Sequence, residues 1–322
     1  MKDTVPQFDF QIKNGALNGY TYIRGTDGWM NTVILSDEIT TINMCAMKKF
    51  SCMRLVMPPS LKTINHKAFD MAQIDEIDFS QCKLLERIEF QAFLNCRIKA
   101  TLPDTITYLG DGAVHGLILG KAEKLRLPSA LSHIGRYAFD LRNFQVLEVD
   151  ERLVAQDSGL EELMFLTDDV YNSSMILNVT RDGKLVCRTL IPLNREIRRY
   201  KNRYICAEGF NYSNYDNWYK HAKDRQSKSI IAAFRVMFPE GLTDETIKIY
   251  RTYATKNLLA MIEGFEEDME TIKLYYEAGF ITTYRLKQLL ENARQKSNVE
   301  VASEILDLLE RKNGIAAKSL RL

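Results

Sequence analysis

The sequence predicts an α+β multidomain chain: a solenoid of short strands and irregular turns, then a β-hairpin region, then an all-α helical stack. Three observations carry that expectation. A motif recurs through the first half at a period near 23 residues. An Asp-Gly pair stands between two apolar runs in the middle. From about Ser213 onward, apolar residues recur three and four apart. The expected boundaries are residues 1–155 for the solenoid, 156–210 for a connector with a hairpin cap, and 211–322 for the helical domain.

The motif is visible by direct comparison. Leu55 to Phe69 reads LVMPPSLKTINHKAF, and Leu125 to Phe139 reads LRLPSALSHIGRYAF. LPDTITYLGDGAV (Leu102 to Val114), LERIEFQAF (Leu85 to Phe93) and the degenerate VILSDEITTINMCAM (Val33 to Met47) are further copies. The anchors Ile42, Ile64, Ile88, Leu109 and Ile134 are separated by 22, 24, 21 and 25 residues. A unit of that length cannot bury its own apolar face, so successive units must stack and share one core. Ala46, Ala68, Ala92, Ala113 and Ala138 occupy a fixed position, small where adjacent turns approach closely. Phe69, Phe93 and Phe139 follow as a ladder; Met47 and Val114 replace the aromatic in the other copies and should pack less fully.

This pattern resembles the BspA-like leucine-rich repeat, whose consensus runs Leu-Pro-x-Ser-Leu-x-x-Ile-Gly-x-x-Ala-Phe-x-x-Cys. Cys96 falls on the family cysteine, and the opening from Phe10 to Leu17, with Tyr20 and Gly25, resembles the strand pair that begins many such arrays. The resemblance covers about residues 8 to 155. The family glycine after the anchor occurs only at Gly110 and Gly135; Asn43, Asn65 and Glu89 stand there in the other copies, which predicts irregular turns. The resemblance implies a protein-interaction scaffold of bacterial type. Many of its relatives decorate cell surfaces, so a secreted adhesin is the family-level alternative.

Beyond Val149 the period ends. Residues 156–170 read as a surface connection, and Ser174 to Ile191 as two strands around Arg181-Asp182-Gly183-Lys184, positioned to cap the solenoid. Helices are expected over Ser227–Phe238, Thr243–Ile262, Asp268–Glu277, Thr283–Ala293 and Val299–Arg311, with stops at Gly279 and Gly314. Asp268 to Gly279 resembles the second helix of an ankyrin repeat, and Leu289–Ala293 with Asn298–Val301 resembles the next pair. The Thr-Pro-Leu-His signature is absent, so the resemblance is to an ankyrin-like helical stack.

Composition narrows the function. With 43 basic and 42 acidic residues the formal charge is +1, which excludes a globally basic nucleic-acid binder or an acidic-tailed chaperone. The first ten residues carry Asp3, Pro6 and Asp9 and no apolar run, so they do not read as a secretory signal. No stretch has the roughly 18 apolar residues of a membrane span. The six cysteines form no CxxC pair and read as reduced thiols. The expected location is cytoplasmic.

Catalytic chemistry does not assemble from spacing. HExxH, GxxxxGK[ST], GxGxxG and GxSxG are all absent. His66, His115, His133 and His221 are far apart, with His66 and His133 expected on the solenoid's solvent face. Acidic pairs such as Asp75-Glu76 lie in polar contexts. The reading is of a non-enzyme, with no catalytic residue, metal site or cofactor.

Two surfaces remain. Positions between the repeat anchors, Lys62, Thr63, Asn65, Lys67, Ser132, His133, Arg136 and Tyr137, would line a face for a protein partner. The segment from Arg195 to Lys228 mixes cations with aromatics, and Arg198, Arg199, Lys201, Arg203, Tyr204, Trp218, Lys220 and Lys223 form a candidate nucleic-acid patch, because single strands are held by phosphate neutralisation and base stacking. The same aromatics suit a domain junction, which is the leading reading of this segment, or a protein interface. A protein-binding scaffold is the leading expectation and a single-strand nucleic-acid binder the alternative.

Overall fold

The computed structural model describes residues 7–24, 32–119, 124–139, 144, 146–154, 158–160, 174–192, 205–206, 209–210, 212, 216, 219–220, 225–257 and 269–319. The chain divides into two compact units, Met1–Asn211 and Tyr212–Leu322.

Unit one is a two-sided solenoid. One side is a seven-stranded sheet. It begins with the antiparallel hairpin β1 (Gln7–Lys13) and β2 (Ala16–Arg24), and β3 (Thr32–Ile34) then crosses to the other side. The first sheet continues through two-residue strands, β4 (Thr41–Ile42), β6 (Thr63–Ile64), β8 (Arg87–Ile88), β10 (Tyr108–Leu109) and β13 (His133–Ile134), in parallel register. The opposite side orders β11 (Leu117–Leu119), β9 (Ile98–Ala100), β7 (Gln73–Asp78), β5 (Ser51–Val56) and β3. The pairs β3 and β4, β5 and β6, β7 and β8, and β9 and β10 thus each make one turn with a strand in each sheet, whereas the Leu125–Phe139 copy has only β13 in the first.

The expected anchors are the core: Ile42, Ile64, Ile88, Leu109 and Ile134 are all at most 1% exposed. Turns are joined by main-chain hydrogen bonds at the alanine. Met47, Phe69, Phe93 and Val114 donate their N–H to the carbonyls of Ala68, Ala92, Ala113 and Ala138 at 2.8 to 3.2 Å. A larger side chain there would stand between backbones that must touch. Phe69 and Phe93 stack with centroids 4.9 Å apart and planes 7° from parallel. Met47 and Val114, expected to pack less fully, are 0% and 1% exposed, so both are as buried as the phenylalanines of the other turns. Methionine is unbranched and fills irregular gaps. Beside Val114, Gly116 has no Cβ where one would meet the Phe93 carbonyl at 2.1 Å, so the backbones close over the smaller residue.

The turn also has a fixed left-handed residue, three positions after the anchor. Cys45, Lys67, Gln91, Gly112 and Tyr137 have φ between 52° and 61°. Four of these five carry a side chain at a φ that disfavours one, so the stacked neighbours impose the conformation. The ladder keeps its register through Asn65 and Glu89, whose N–H groups bond to the anchor carbonyl of the preceding turn as Gly110 and Gly135 do, and through Asn43, whose N–H bonds to the Leu17 carbonyl of the opening hairpin.

Both ends of the array are paired. Phe8, Phe10 and Tyr20 of the opening hairpin surround Phe50 with centroids 4.8, 6.2 and 4.9 Å away. At the far end β12 (Lys124–Arg126), β14 (Val146–Asp150), β15 (Ser174–Arg181) and β16 (Lys184–Pro192) form a four-stranded sheet, with the short helix α1 (Glu151–Val154) following β14. Asp182 and Gly183 have φ of 51° and 73°, as a two-residue hairpin turn requires. β15 pairs in parallel with β14, so the hairpin takes the edge that β14 would otherwise leave open. A last two-stranded ribbon, β17 (Ile205–Cys206) and β18 (Gly209–Phe210), completes this unit. Of the expected surface connection at 156–170, only 158–160 is described; Ser158 and Leu160 are buried, and the Ser158 carbonyl accepts from Ile134 N–H.

Unit two is helical: α2 (Arg225–Met237), α3 (Asp244–Lys256), α4 (Met269–Glu277), α5 (Thr283–Gln295) and α6 (Val299–Ser319). Thr243 and Thr282 cap α3 and α5, accepting from Thr246 and Arg285 N–H. Gly279, at φ 77°, ends α4 with paired bonds from Phe280 N–H to Tyr275 and from Gly279 N–H to Tyr276. The expected stop at Gly314 is not used: α6 continues to Ser319. An interior glycine costs a helix only about 1 kcal/mol, which the good helix formers Ala316, Ala317 and Lys318 offset.

The turn-to-turn contact makes a stability prediction. A Cβ on Gly135 would lie 2.3 Å from Asp111 N and 2.4 Å from the Gly110 carbonyl carbon. Gly135→Ala is expected to cost about 1–3 kcal/mol in urea unfolding. A neutral result would show that the turns can separate at this column.

Candidate interaction surface

The outward side of the seven-stranded sheet brings equivalent positions of successive turns into columns, about 4.8 Å apart. Immediately before the anchors the column runs Thr41, Thr63, Arg87, Tyr108, His133. The Arg87 guanidinium lies 3.8 Å from the Tyr108 ring centroid, and Tyr108 stacks on His133 at 4.7 Å and 9°. Immediately after the anchors Asn43 Nδ2 donates to Asn18 Oδ1 at 2.7 Å, and Asn65 Nδ2 to Asn43 Oδ1 at 3.1 Å. One position further stand Met44, His66 and Phe90; His66 meets Phe90 edge to face at 4.8 Å. Asn18, Asn43, Met44, Asn65, His66, Glu89 and Phe90 line an open groove of about 550 Å³.

Of the eight expected surface residues, Lys62, Ser132, Arg136 and Tyr137 are exposed, while Thr63, Asn65, Lys67 and His133 are half-buried. Asn65 and Ser132 already bridge turns, Ser132 Oγ donating to the Thr107 carbonyl at 3.0 Å. His66 and His133 are half-buried in ring pairs, not simply solvent-facing as expected. Sequence reasoning missed Asn18, Asn43, Met44, Arg87, Phe90 and Tyr108 as surface-forming residues. The signal was present: they occupy the same register positions as residues that were singled out.

Beside this face lies a charged cluster. Asp70 is 5% exposed, pairs with Lys48 Nζ at 3.0 Å and accepts from Asn95 Nδ2 at 3.2 Å. Burial pushes its carboxyl upward, but the hydrogen bonds from Lys48 and Asn95 and the charges of Lys48 and Lys67 outweigh it, and the net shift is downward. A carboxyl lowered on folding adds stability above its unfolded pKa, lost as pH falls through the lower folded value. Asp70→Asn is therefore expected to flatten the acid limb of the stability–pH curve, while leaving its slope above pH 6 unchanged. An identical acid limb in the variant would mean that the pairing does not contribute.

Cys52, Cys82 and Cys187 are buried, and Cys45 and Cys96 are half-buried. Burial pushes Cys52 and Cys82 up to about 12 and Cys96 to about 11, so all three stay protonated at neutral pH. Cys96 Sγ donates to the Phe69 carbonyl at 2.9 Å, and Cys82 Sγ to that of Pro58 at 3.4 Å. Among the described residues no three His, Cys, Asp or Glu side chains gather as a metal site, and no helix is long and apolar enough to cross a membrane.

In the candidate nucleic-acid patch, Lys220 is exposed; Arg198, Arg199, Lys201, Arg203, Tyr204, Trp218 and Lys223 lie outside the described residues. Tyr212 and Tyr219 of that segment have cations over them within the helical unit. Lys228 Nζ stands 4.8 Å from the Tyr219 ring, which contacts Tyr250 at 4.3 Å. Arg235, 1% exposed, lies 4.4 Å from the Tyr212 ring. It donates to Asp216 at 2.8 and 3.2 Å and to the carbonyls of Phe238 and Glu240. Tyr250, raised by burial and then by the Asp216 charge, donates to Asp216 at 3.4 Å. Removing one member of a buried ion pair typically costs about 3–5 kcal/mol, so Arg235→Met is expected to destabilise the helical unit by that order. Unchanged melting of that unit would show that solvent replaces the guanidinium.

The BspA type leucine rich repeat region, a family of repeats, matches residues 26–119 and 82–158 in six copies. No curated protein matches the chain.

Proposed function

We propose that the protein is a non-enzymatic interaction module that holds a protein partner on the outward face of its repeat array, in a reducing, cytoplasmic setting. The observation that carries this reading is the ordered column of exposed and half-buried side chains, fixed by stacking. Arg87, Tyr108 and His133 are already stacked on one another before any partner arrives, which reduces the side-chain freedom to be lost on binding. Aromatic and arginine side chains are also the usual anchors of protein interfaces. Repeat arrays of this kind commonly mediate protein contacts, which supports the same reading. Free thiols at Cys45, Cys52, Cys82 and Cys96 accord with the compartment. The helical unit, which resembles ankyrin repeats in sequence, would supply a second surface.

The test is affinity capture from host lysate with a variant carrying Lys62→Ser, Lys67→Asn, His133→Ala, Arg136→Ser and Tyr137→Asn. Asparagine is used at 67 and 137 because it tolerates the left-handed backbone there. The variant is expected to fold and to lose the captured protein, with nuclease making no difference. Undiminished capture removes this face from the function, and capture abolished by nuclease moves the function to the basic segment.

A further inference from the structure

We propose that the groove floored by Asn18, Asn43 and Asn65 binds a linear, neutral oligosaccharide chain, laid along the axis of the array. This does not rest on the protein-interaction reading, whose test leaves all the groove residues in place.

The argument begins with the hydrogen bonds left over. A carboxamide has two N–H donors and an oxygen with two lone pairs. Asn43 gives one N–H to Asn18 and accepts one from Asn65, so one donor and one lone pair remain on that rung. Asn65 keeps one donor and both lone pairs. Asn18 spends both donors on the Ala16 and Gln11 carbonyls and keeps one lone pair. The floor therefore presents both a donor and an acceptor at a rung spacing of about 4.8 Å. A hydroxyl is itself both donor and acceptor, so it can accept from one rung and donate to the next.

Spacing separates the possible chains. An extended peptide offers polar groups on one edge every two residues, about 6.8 Å, and falls out of step after one rung. A polyproline helix repeats at about 9 Å. In an extended chain of β-linked pyranoses each ring advances by nearly one rung and carries hydroxyls on both edges. The wall suits the same ligand: Met44 is 65% and Phe90 39% exposed, and His66 is held edge-on to Phe90. These give an apolar surface for the C–H face of a pyranose above a polar floor.

Charge points the same way. Glu89 is the one carboxylate in the lining, and its Oε1 already accepts from Arg87 Nε at 2.9 Å. Nothing in the lining selects for a phosphate or sulfate.

The experiment titrates cellotetraose, chitotetraose and maltotetraose into the full chain by calorimetry, and follows the asparagine side-chain amide signals by NMR. At least one tetrasaccharide is expected to bind and to shift those signals. Asn65→Ala and Phe90→Ala are each expected to weaken it tenfold or more, and His133→Ala to leave it unchanged. Phe90 is at the surface, so its variant carries the test if Asn65→Ala fails to fold by circular dichroism. Absence of binding by all three at millimolar concentration overturns the proposal, as does unchanged affinity in Phe90→Ala. So does a captured protein whose binding needs Phe90 but is not displaced by any tetrasaccharide.

Discussion

Everything in the N-terminal unit depends on adjacent turns coming close enough for their backbones to hydrogen-bond. Met47, Phe69, Phe93 and Val114 reach across to the alanine carbonyl of the next turn, and the same turn has only a two-residue strand on that side. A two-residue strand has no stability of its own. It exists because the anchor isoleucine or leucine is buried between its equivalents on both sides. Burial and hydrogen bonding are thus one cooperative event per interface, and each turn is stable only as a neighbour.

The same constraint creates the outer surface. Once the turns are in register, a side chain's nearest outward neighbour is its equivalent about 23 residues away. The carboxamides of Asn18, Asn43 and Asn65 and the rings of Tyr108 and His133 meet for that reason alone. Positions that break the family glycine are therefore not defects of the array. They replace a bare backbone by polar side chains that can bond along the axis, and the glycines resume at Gly110 and Gly135, where a Cβ would strike the preceding turn.

The helical unit is organised differently, around a buried charge. Arg235 satisfies two otherwise open carbonyls at the end of α2 and holds Asp216, which in turn accepts from Tyr250. In sequence, Tyr212, Asp216, Tyr219, Lys228 and Arg235 look like part of a mixed basic and aromatic stretch. In three dimensions the cations lie over the rings, and those faces serve the packing of this unit.

The sequence by itself determined the repeat length, the anchors, the alanine column, the Phe69–Phe93 stack (though not its expected extension to Phe139, from which Val114 separates it), the Asp-Gly hairpin and the positions of the helices. Each of these follows from local periodicity or turn chemistry, which survives being read one residue at a time. Only the tertiary structure decided that Met47 and Val114 are buried as completely as Phe69 and Phe93, that α6 runs through Gly314, and which side chains share a surface. Packing density depends on how closely two backbones approach, and adjacency on stacking register. Neither quantity is carried by a single turn. The groove between Asn18 and Phe90 exists for the same reason, because its lining comes from four successive turns that only stacking makes neighbours.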